Sequence, residues 1–268
     1  MRVVSLINSN MICETSSIYA LHYAKSFSLK LSLVHIKEND KLPAIDKVFA
    51  DIKKLATSLD VEVELIIYES LKELEQLILD KNIDILFCST KHDRSIFEQS
   101  FVKKVIKLGL RVDLAVVKVV KFTGAVGVEK IIMPIRGYQF SINKFTFFTA
   151  FVNAYSATAE IFSVDEIKKS QAALLSAKDV KIKLQNVMFN LRHYFRLAII
   201  MNIKFSIKHS YALIEGYEVQ SHIAKNSYDL AIIGGHHKRN FFYCHPIETL
   251  FEKPMINSIY FIPCDDDE

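Results

Sequence analysis

Glycine is scarce in this sequence, with seven residues among 268, and the first of them is Gly109. Loops that hold phosphate groups depend on glycine, because a residue without a Cβ lets backbone N–H groups approach the phosphate closely. The composition therefore excludes a glycine-rich phosphate loop from the first 108 residues.

Other common features are missing too. The four cysteines stand singly, without a C-x-x-C pair, so neither a disulfide framework nor a four-thiolate zinc site is expected. No stretch reaches the ~18 apolar residues of a membrane-spanning helix, and the first residues lack the sustained apolar region of a secretory signal. The net charge of +4 is too small to indicate a nucleic-acid partner. These absences predict a cytoplasmic protein with no nucleic-acid partner and no membrane partner.

The chain contains an internal repeat. Four short apolar segments of the first half recur in the second: residues 3–7 with 131–135, 31–35 with 159–163, 84–88 with 229–233, and 114–117 with 259–262. The offset between the copies grows along the chain, from 128 to 145 residues. The second copy therefore has an insertion of about 17 residues between its second and fourth strands.

Each copy alternates β-branched runs with segments of helical periodicity, which predicts an α/β fold with a parallel sheet covered on both faces. Strands are predicted at residues 3–7, 30–36, 61–67, 83–88 and 113–119, and at 130–135, 158–164, 203–208, 229–234 and 258–262. Helices are predicted at 15–27, 43–58, 71–81 and 95–108. In the second copy, the aromatic-rich segment 145–155 fits a helix, with a strand as the alternative, and an apolar stripe from Val180 to Ala198 indicates one long helix. Residues 121–129 form the linker.

This arrangement resembles a tandem universal stress protein, with two such domains in one chain, at residues 1–122 and 128–268. The resemblance is carried by the two first strands, by residues 31–38 and 159–166 as second strands, and most of all by residues 229–236, whose sequence is DLAIIGGH. That segment is similar to the family's fourth strand, an Asp-led apolar run that ends in glycine. The resemblance implies two doubly wound domains, each a five-stranded parallel sheet in the order 3-2-1-4-5. It also implies that the fifth strands pair, as a pseudo-dimer within one chain, with a homodimer also possible.

The ATP-binding members of that family carry an aspartate at the end of strand one and a G-x2-G-x9-G-[ST] loop after strand four. In the first copy the corresponding residues are Asn8 for the aspartate, and Cys88, Lys91, Ser100 and Phe101 in the loop. In the second copy they are Arg136 for the aspartate, and Gly234, His237, His245 and Pro246 in a loop that is shorter by about two residues. The nucleotide motif is therefore degenerate, and conventional ATP binding is not predicted for either copy.

A ligand such as ATP, AMP or another anion remains an alternative for the second copy. Val164 and Ile233 match apolar positions that contact adenine, and Arg136 and Lys238 give the site positive charge. The full set of candidate ligand-binding residues is Arg136, Val164, Ile233, Gly234, Gly235, His236, His237, Lys238 and His245. The competing interpretation is that the charged residues belong to an exposed loop and the apolar ones to ordinary strand ends.

Metal binding and catalysis find less support. His236, His237, Cys244 and His245 fall within ten residues, and imidazole and thiolate are zinc ligands. However, adjacent histidines do not easily face one ion, so no metal site is predicted. There is no G-x-S-x-G nucleophile elbow, and no catalytic residue is assigned. The sequence thus predicts a non-enzymatic protein of the universal stress type, acting in stress response or regulation by binding an unidentified protein partner. A nucleotide-dependent enzyme, such as a weak ATPase, and a metal-binding loop are the remaining alternatives.

Overall fold

The computed structural model describes residues 1–37, 42–80, 82–90, 105, 111–136, 142–172, 176–234 and 254–264. The strands are β1 (Arg2–Ile7), β2 (Lys30–Ile36), β3 (Val63–Tyr68), β4 (Ile83–Thr90), β5 (Asp113–Lys118), β6 (Lys130–Arg136), β7 (Thr158–Glu166), β8 (Phe205–Ala212), β9 (Leu230–Gly234) and β10 (Asn257–Ile262). The helices are α1 (Met11–Ser26), α2 (Leu42–Leu59), α3 (Leu71–Asp80), α4 (Ile142–Tyr155), α5 (Lys169–Ala172), α6 (Ala177–Asn190), α7 (Arg192–Ile200) and α8 (Glu215–Asn226). A short 3-10 helix, Phe122–Ala125, follows β5.

All ten strands belong to one sheet, in the order β3-β2-β1-β4-β5-β10-β9-β6-β7-β8. The first half of the chain (β1–β5) and the second half (β6–β10) each have the order 3-2-1-4-5, and every strand pair within a half is parallel. The two fifth strands, β5 and β10, pair antiparallel at the centre. The predicted α/β class and strand order are confirmed, while the predicted domain boundaries stay a prediction.

Helices cover both faces of the sheet. One core packs beneath α1, α2, α4, α6 and α7, and the other beneath α3 and α8. Neighbouring strand residues such as Val3 and Val4 enter opposite cores, because side chains alternate along a strand. All six residues of β10 are buried. Burial on both faces explains why these strands read as continuous apolar runs in the sequence.

The two halves also meet through an aromatic cluster between α1 and α4. Phe147 stacks on Phe261 with ring centroids 4.2 Å apart, and its ring lies 5.5 Å from that of Tyr23. The ring of Tyr19 lies 6.2 Å from that of Phe151. The aromatic-rich segment at 145–155 is thus a helix, as predicted, and it is aromatic because it packs against both the sheet and α1.

The amide of Asn257 joins the start of β10 to the chain that follows β5. Its Oδ1 accepts hydrogen bonds from the backbone N–H groups of Val120 (2.7 Å) and Lys121 (2.9 Å). Its Nδ2 donates to the hydroxyl of Tyr19 and to the carbonyl of Lys121, both at 2.9 Å. One buried side chain therefore fixes the antiparallel junction between the halves.

The inserted residues lie mainly between β7 and β8. This connection has 38 residues, residues 167–204, whereas the equivalent connection between β2 and β3 has 26, residues 37–62. The prediction of one long helix is wrong, because the helical stretch breaks at Leu191 into α6 and α7. Only part of the predicted stripe is buried: Val187, Leu191 and Ala198 enter the core, while Val180 and Leu184 are exposed. Most of the predicted helix at 95–108 lies outside the described residues.

Candidate functional site

The candidate site lies where strand order reverses at the carboxyl ends of the strands. In the second half, β6 and β9 pair in register only at Ile131–Leu230 and Ile132–Ala231, and both strands continue beyond that ladder. In an open α/β sheet this switch point is where ligands bind, because the two neighbouring connections leave the sheet in opposite directions. The equivalent point in the first half lies between β1 and β4.

In the second half, a buried lysine covers one side of this switch point. Lys144 is the third residue of α4, the helix that follows β6, and its side chain is 6% exposed. Its aliphatic stem lies against Gly234, the last residue of β9. A Cβ at position 234 would lie 2.8 Å from Cδ of Lys144 and 3.3 Å from Cε. A side chain at position 234 would therefore require the end of the lysine side chain to move.

The first half has an equivalent contact made by different residues. Cys13 is the third residue of α1, and its Sγ lies 3.0 Å from Oγ of Ser89 near the end of β4. The pairing of Val3 with Ile85 and of Ile131 with Leu230 makes Ser89 the counterpart of Gly234. The assignment of Cys88 to this position from the sequence is therefore wrong by one residue. In both halves, the third residue of the first helix thus contacts the carboxyl end of the fourth strand.

Asn8 stands at the position of the family's strand-one aspartate and has a local structural role. It follows β1, and its Oδ1 accepts a hydrogen bond of 2.9 Å from the backbone N–H of Asn10. Asn10 in turn caps α1, accepting a hydrogen bond of 3.0 Å from the backbone N–H of Ile12. The side chain of Asn8 therefore shapes the turn into α1.

On the opposite face of the second half, the switch point forms a small depression with room for about one water molecule. Among the described residues, its lining is mainly apolar and carries no charged side chain: Pro134, Gln220, Ile223, Ala231, Ile233, Pro254, Met255, Ile256 and Ser258. These residues offer no cation to neutralise a phosphate. As far as the described residues form it, the depression is also too small for a nucleotide.

The structure brings some of the predicted ligand-binding residues together. Arg136 pairs with Val164 at the end of the β6–β7 ladder, although only the backbone of Arg136 is described. Val164 and Ile233 are buried in the same core, and Ile233 also lines the depression. Gly234 pairs with Phe261 of β10. The sequence analysis did not identify Lys144, whose place within an aromatic-rich helix gave no functional signal.

The remaining candidate residues lie outside the described part of the chain: Gly235, His236, His237, Lys238, Cys244, His245 and Pro246, together with Lys91, Ser100 and Phe101. The possible metal ligands all belong to this set. Within the part of the chain that the structure describes, no three His, Cys, Asp or Glu side chains come together in a way that could hold a metal ion.

A second polar cluster, which the sequence analysis did not find, lies at the opposite end of the second half. The carboxylate of Glu160, the third residue of β7, is 2.7 Å from Nζ of Lys208 and accepts a hydrogen bond from His222. His222 also contacts the hydroxyl of Tyr228 at 3.1 Å and stacks on Phe162 with centroids 3.9 Å apart. The cluster ties α8 to the outer strands β7 and β8.

The pKa of Glu160 reflects this network. Burial raises it, but hydrogen bonds from Lys208, Tyr228 and His222 outweigh burial and hold the pKa below its ordinary value. For Tyr228, burial and then the hydrogen bond to the Glu160 carboxylate raise the pKa well above the ordinary value. Both groups therefore keep one protonation state near neutral pH, which fits a structural ion pair better than acid–base catalysis.

Within the described residues, no helix is long and apolar enough to cross a membrane. The three cysteines described, Cys13, Cys88 and Cys264, are not in disulfides. Burial raises the pKa of the Cys88 thiol, with the nearby Cys13 adding to the effect. Cys88 is therefore held in the protonated, unreactive form.

Comparison by sequence finds no matching protein-family model and no matching curated protein. Comparison by structure finds the same fold at low sequence identity. A universal stress protein from Archaeoglobus fulgidus DSM 4304 matches with a TM-score of 0.60 and 9% identity, over 98% of each chain. A putative universal stress protein from Pseudomonas aeruginosa UCBPP-PA14 matches with a TM-score of 0.59 and 10% identity, over 98% of this chain and 94% of that one.

A third similar structure comes from a different functional context. It is the cytoplasmic domain of a prokaryotic cation chloride cotransporter, with a TM-score of 0.63 and 12% identity, over 99% of this chain and 96% of that one. The matches span nearly the full length of both chains, so they cover both halves of the ten-stranded sheet. Together with the strand order and the repeated β–α contacts, they show that this chain has the universal stress protein fold.

Proposed function

We propose that this protein is a non-enzymatic universal-stress-type protein that acts by binding a partner and not by binding or hydrolysing a nucleotide. The observation that carries the proposal is the contact between Lys144 and Gly234. Gly234 is the one clear remnant of the family's phosphate loop, and the Lys144 stem occupies the space beside it. A phosphate group that approached Gly234 from this side would have to displace the lysine side chain.

The first half supports the same proposal. Among the described residues near its switch point, two polar side chains already have contacts within the chain: Cys13 with Ser89, and Asn8 with the backbone of Asn10. The chain has no glycine before Gly109 to form a backbone phosphate cradle. A nucleotide would have to replace these contacts without gaining the backbone hydrogen bonds that normally hold its phosphates.

We also infer that the protein works in a reducing compartment such as the cytoplasm. The three described cysteines are not in disulfides, and the pKa of the Cys88 thiol is raised by burial, which suits a chain that does not depend on disulfides. The fold itself does not choose among functions, since it occurs both in universal stress proteins and in a domain of a cotransporter.

Ligand titration tests the proposal. The purified protein is analysed by native mass spectrometry for a retained nucleotide, and its melting temperature is measured with magnesium–ATP, AMP and zinc. A ligand that binds only the folded state raises the melting temperature by mass action. We expect no retained nucleotide and no shift at millimolar nucleotide. A reproducible shift with ATP, or ATP hydrolysis above the buffer rate, contradicts the proposal.

A second candidate function is binding of an anionic ligand in the second half. It is favoured by one observation, the positive charge that Lys144 brings to the carboxyl end of β9. The test is the variant Lys144→Met, which keeps most of the aliphatic stem and removes the charge. If AMP or inorganic phosphate stabilises the wild type and not Lys144→Met, the second candidate replaces the first.

A further inference from the structure

The charge of the chain is unevenly distributed. The connection between β7 and β8, residues 167–204, contains eight Lys or Arg residues and one Asp, a net charge of +7. Since the whole chain carries +4, the rest of the molecule carries −3. The longer of the two equivalent connections is therefore a basic segment attached to an otherwise slightly acidic protein.

One side of α7 anchors this segment to the body of the protein. Tyr194 packs against Phe145 with ring centroids 5.0 Å apart, and Phe195 stacks on Phe205 at 5.1 Å. Leu191 and Ala198 are buried beside them. The position of α7 on the protein is thus fixed by its inner side.

The outer side of α7 is both basic and apolar. Arg192, Arg196 and Ile199 are spaced four and three residues apart and lie on one side of the helix, and Ile200 is next to them. Ile199 and Ile200 are 76% and 79% exposed. Phe189, at the end of α6, is 60% exposed, and the Arg192 guanidinium lies 4.1 Å from the centre of its ring. We call these five residues the basic–apolar face.

Such a face needs a partner that is both negatively charged and able to bury hydrocarbon. A second copy of this chain would bring two segments of charge +7 together, and like charges oppose such a contact. A nucleic acid would neutralise the arginines and leave the isoleucines in water, because its contacts are mainly to phosphates. An anionic bilayer satisfies both requirements, since phosphate headgroups attract the arginines and the acyl boundary accepts the apolar side chains.

We propose that the basic–apolar face of α6 and α7 binds the surface of a membrane containing anionic lipids, as a peripheral contact. A helix that lies in the interface needs no membrane-spanning segment, so this proposal replaces the expectation of no membrane partner. It rests on the proposed function and names anionic membrane lipids as the partner that the protein binds. The vesicle experiment is independent of the nucleotide titrations, so either proposal can fail while the other stands.

The test is co-sedimentation of the full chain with vesicles of phosphatidylcholine alone and of equal parts phosphatidylcholine and phosphatidylglycerol. We expect binding only to the second, weakened by salt because the charge contribution is screened. Ile199→Ser/Ile200→Ser and Arg192→Gln/Arg196→Gln should each lower the partition coefficient at least about tenfold. Lys30→Gln/Lys37→Gln, which removes two exposed lysines from the other half of the chain, is the charge-matched control and should stay within about twofold of the wild type.

A fluorescence measurement tests insertion separately. The chain contains no tryptophan, so Ile200→Trp introduces a single reporter. Its emission should shift to shorter wavelength with anionic vesicles, while Tyr217→Trp, at an exposed position on α8, should not shift. Circular dichroism confirms that each variant is folded.

The proposal is overturned if the protein does not sediment with anionic vesicles, or if the lysine control loses as much binding as the variants of the basic–apolar face. Saturable binding of polyglutamate that is the same for the wild type and for Ile199→Ser/Ile200→Ser also overturns it, because this result would indicate an acidic protein partner.

Discussion

The aliphatic stem of Lys144 lies against the Cα of Gly234, so close that a Cβ at position 234 would be 2.8 Å from the lysine Cδ. This contact joins the first helix of the second half to the end of its fourth strand. It occupies one side of the switch point where a ligand would enter a sheet of this type. The contact therefore connects the packing of the second half to the proposed absence of nucleotide binding.

A double-mutant cycle tests this contact. Gly234→Ala should destabilise the protein by about 0.5 to 1 kcal/mol, because the added methyl group displaces the end of the flexible lysine side chain. Part of that loss should be recovered when Lys144→Ala is present as well, which gives a coupling free energy above about 0.5 kcal/mol in denaturant unfolding. If the losses of unfolding free energy in the two single variants add up to the loss in the double variant, residues 144 and 234 do not constrain each other.

Asn257 offers a test of the junction between the halves. Asn257→Ala removes four hydrogen bonds and leaves the N–H groups of Val120 and Lys121 without this acceptor, so unfolding should become easier by about 2 kcal/mol. Ser258→Ala, which loses only a local hydrogen bond to the carbonyl of Ile256, is the neighbouring control and should cost less than about 1 kcal/mol. Equal costs for the two variants would contradict the role assigned to Asn257.

The Glu160 cluster predicts a stability difference that depends on pH. Glu160→Gln should cost about 1.5 to 3 kcal/mol at neutral pH, because the buried hydrogen bonds to Lys208 and His222 involve a charged acceptor. The folded-state pKa of Glu160 is lowered, so its contribution is present above the ordinary value of 4.5 and is lost as the pH falls through the folded-state value. The difference in unfolding free energy between the wild type and Glu160→Gln should therefore become smaller at acidic pH.

Glu62→Gln is the control for this comparison. Glu62 pairs with Lys30, and both side chains are well exposed, so the same chemical change should cost less than about 1 kcal/mol. Urea unfolding of both variants at several pH values provides the measurement. A Glu160 variant that is no less stable than the Glu62 variant at neutral pH would remove the cluster as a stabilising feature.

His22 gives a second pH-dependent prediction. Its ring packs on Tyr155 with centroids 4.0 Å apart, and burial, with a smaller effect of Lys25, lowers its pKa from 6.5 to about 4. The folded protein thus favours the neutral imidazole. Above pH 6.5, His22 therefore does not change the free energy of unfolding. As the pH is lowered from 6.5 to about 4, the unfolded chain takes up a proton at His22 and the free energy of unfolding decreases, by on the order of 2 kcal/mol.

The variant His22→Phe isolates this effect, because phenylalanine keeps an aromatic ring beside Tyr155 and cannot be protonated. The gap in unfolding free energy between wild type and variant should change with pH in that range, and proton NMR of the wild type should follow the His22 imidazole directly. A pH-independent gap, together with an NMR titration near 6.5, would contradict the assigned burial effect.

The sequence predicted most of the strands correctly because they are buried on both faces. In β10 all six residues are buried, and the four that follow Asn257 and Ser258 form an apolar run. The recurrence of such runs in both halves reveals the duplication. The insertion was also visible as the change in the offset between the copies from 128 to 145. Periodicity gave the wrong result at Leu191, since the apolar spacing runs through the break between α6 and α7.

The candidate site was less predictable, because it depends on contacts between residues far apart in the chain. A lone lysine within an aromatic helix and a glycine at the end of a strand give no sign that Lys144 and Gly234 touch. Glu160, His222 and Tyr228 are likewise scattered in sequence and meet only when α8 packs on β7. No motif encodes such pairs, since their geometry follows from the packing of whole elements.

The sequence by itself determined the α/β class, the duplication and the absence of a glycine phosphate loop in the first half, because composition and local periodicity specify these properties. Only the tertiary structure decided the antiparallel register in which β5 and β10 pair, the contact of Gly234 with the Lys144 stem, and the shared outward face of the arginines and isoleucines of α7. These features depend on which surfaces are buried against each other, and burial is settled by the packing of the whole chain.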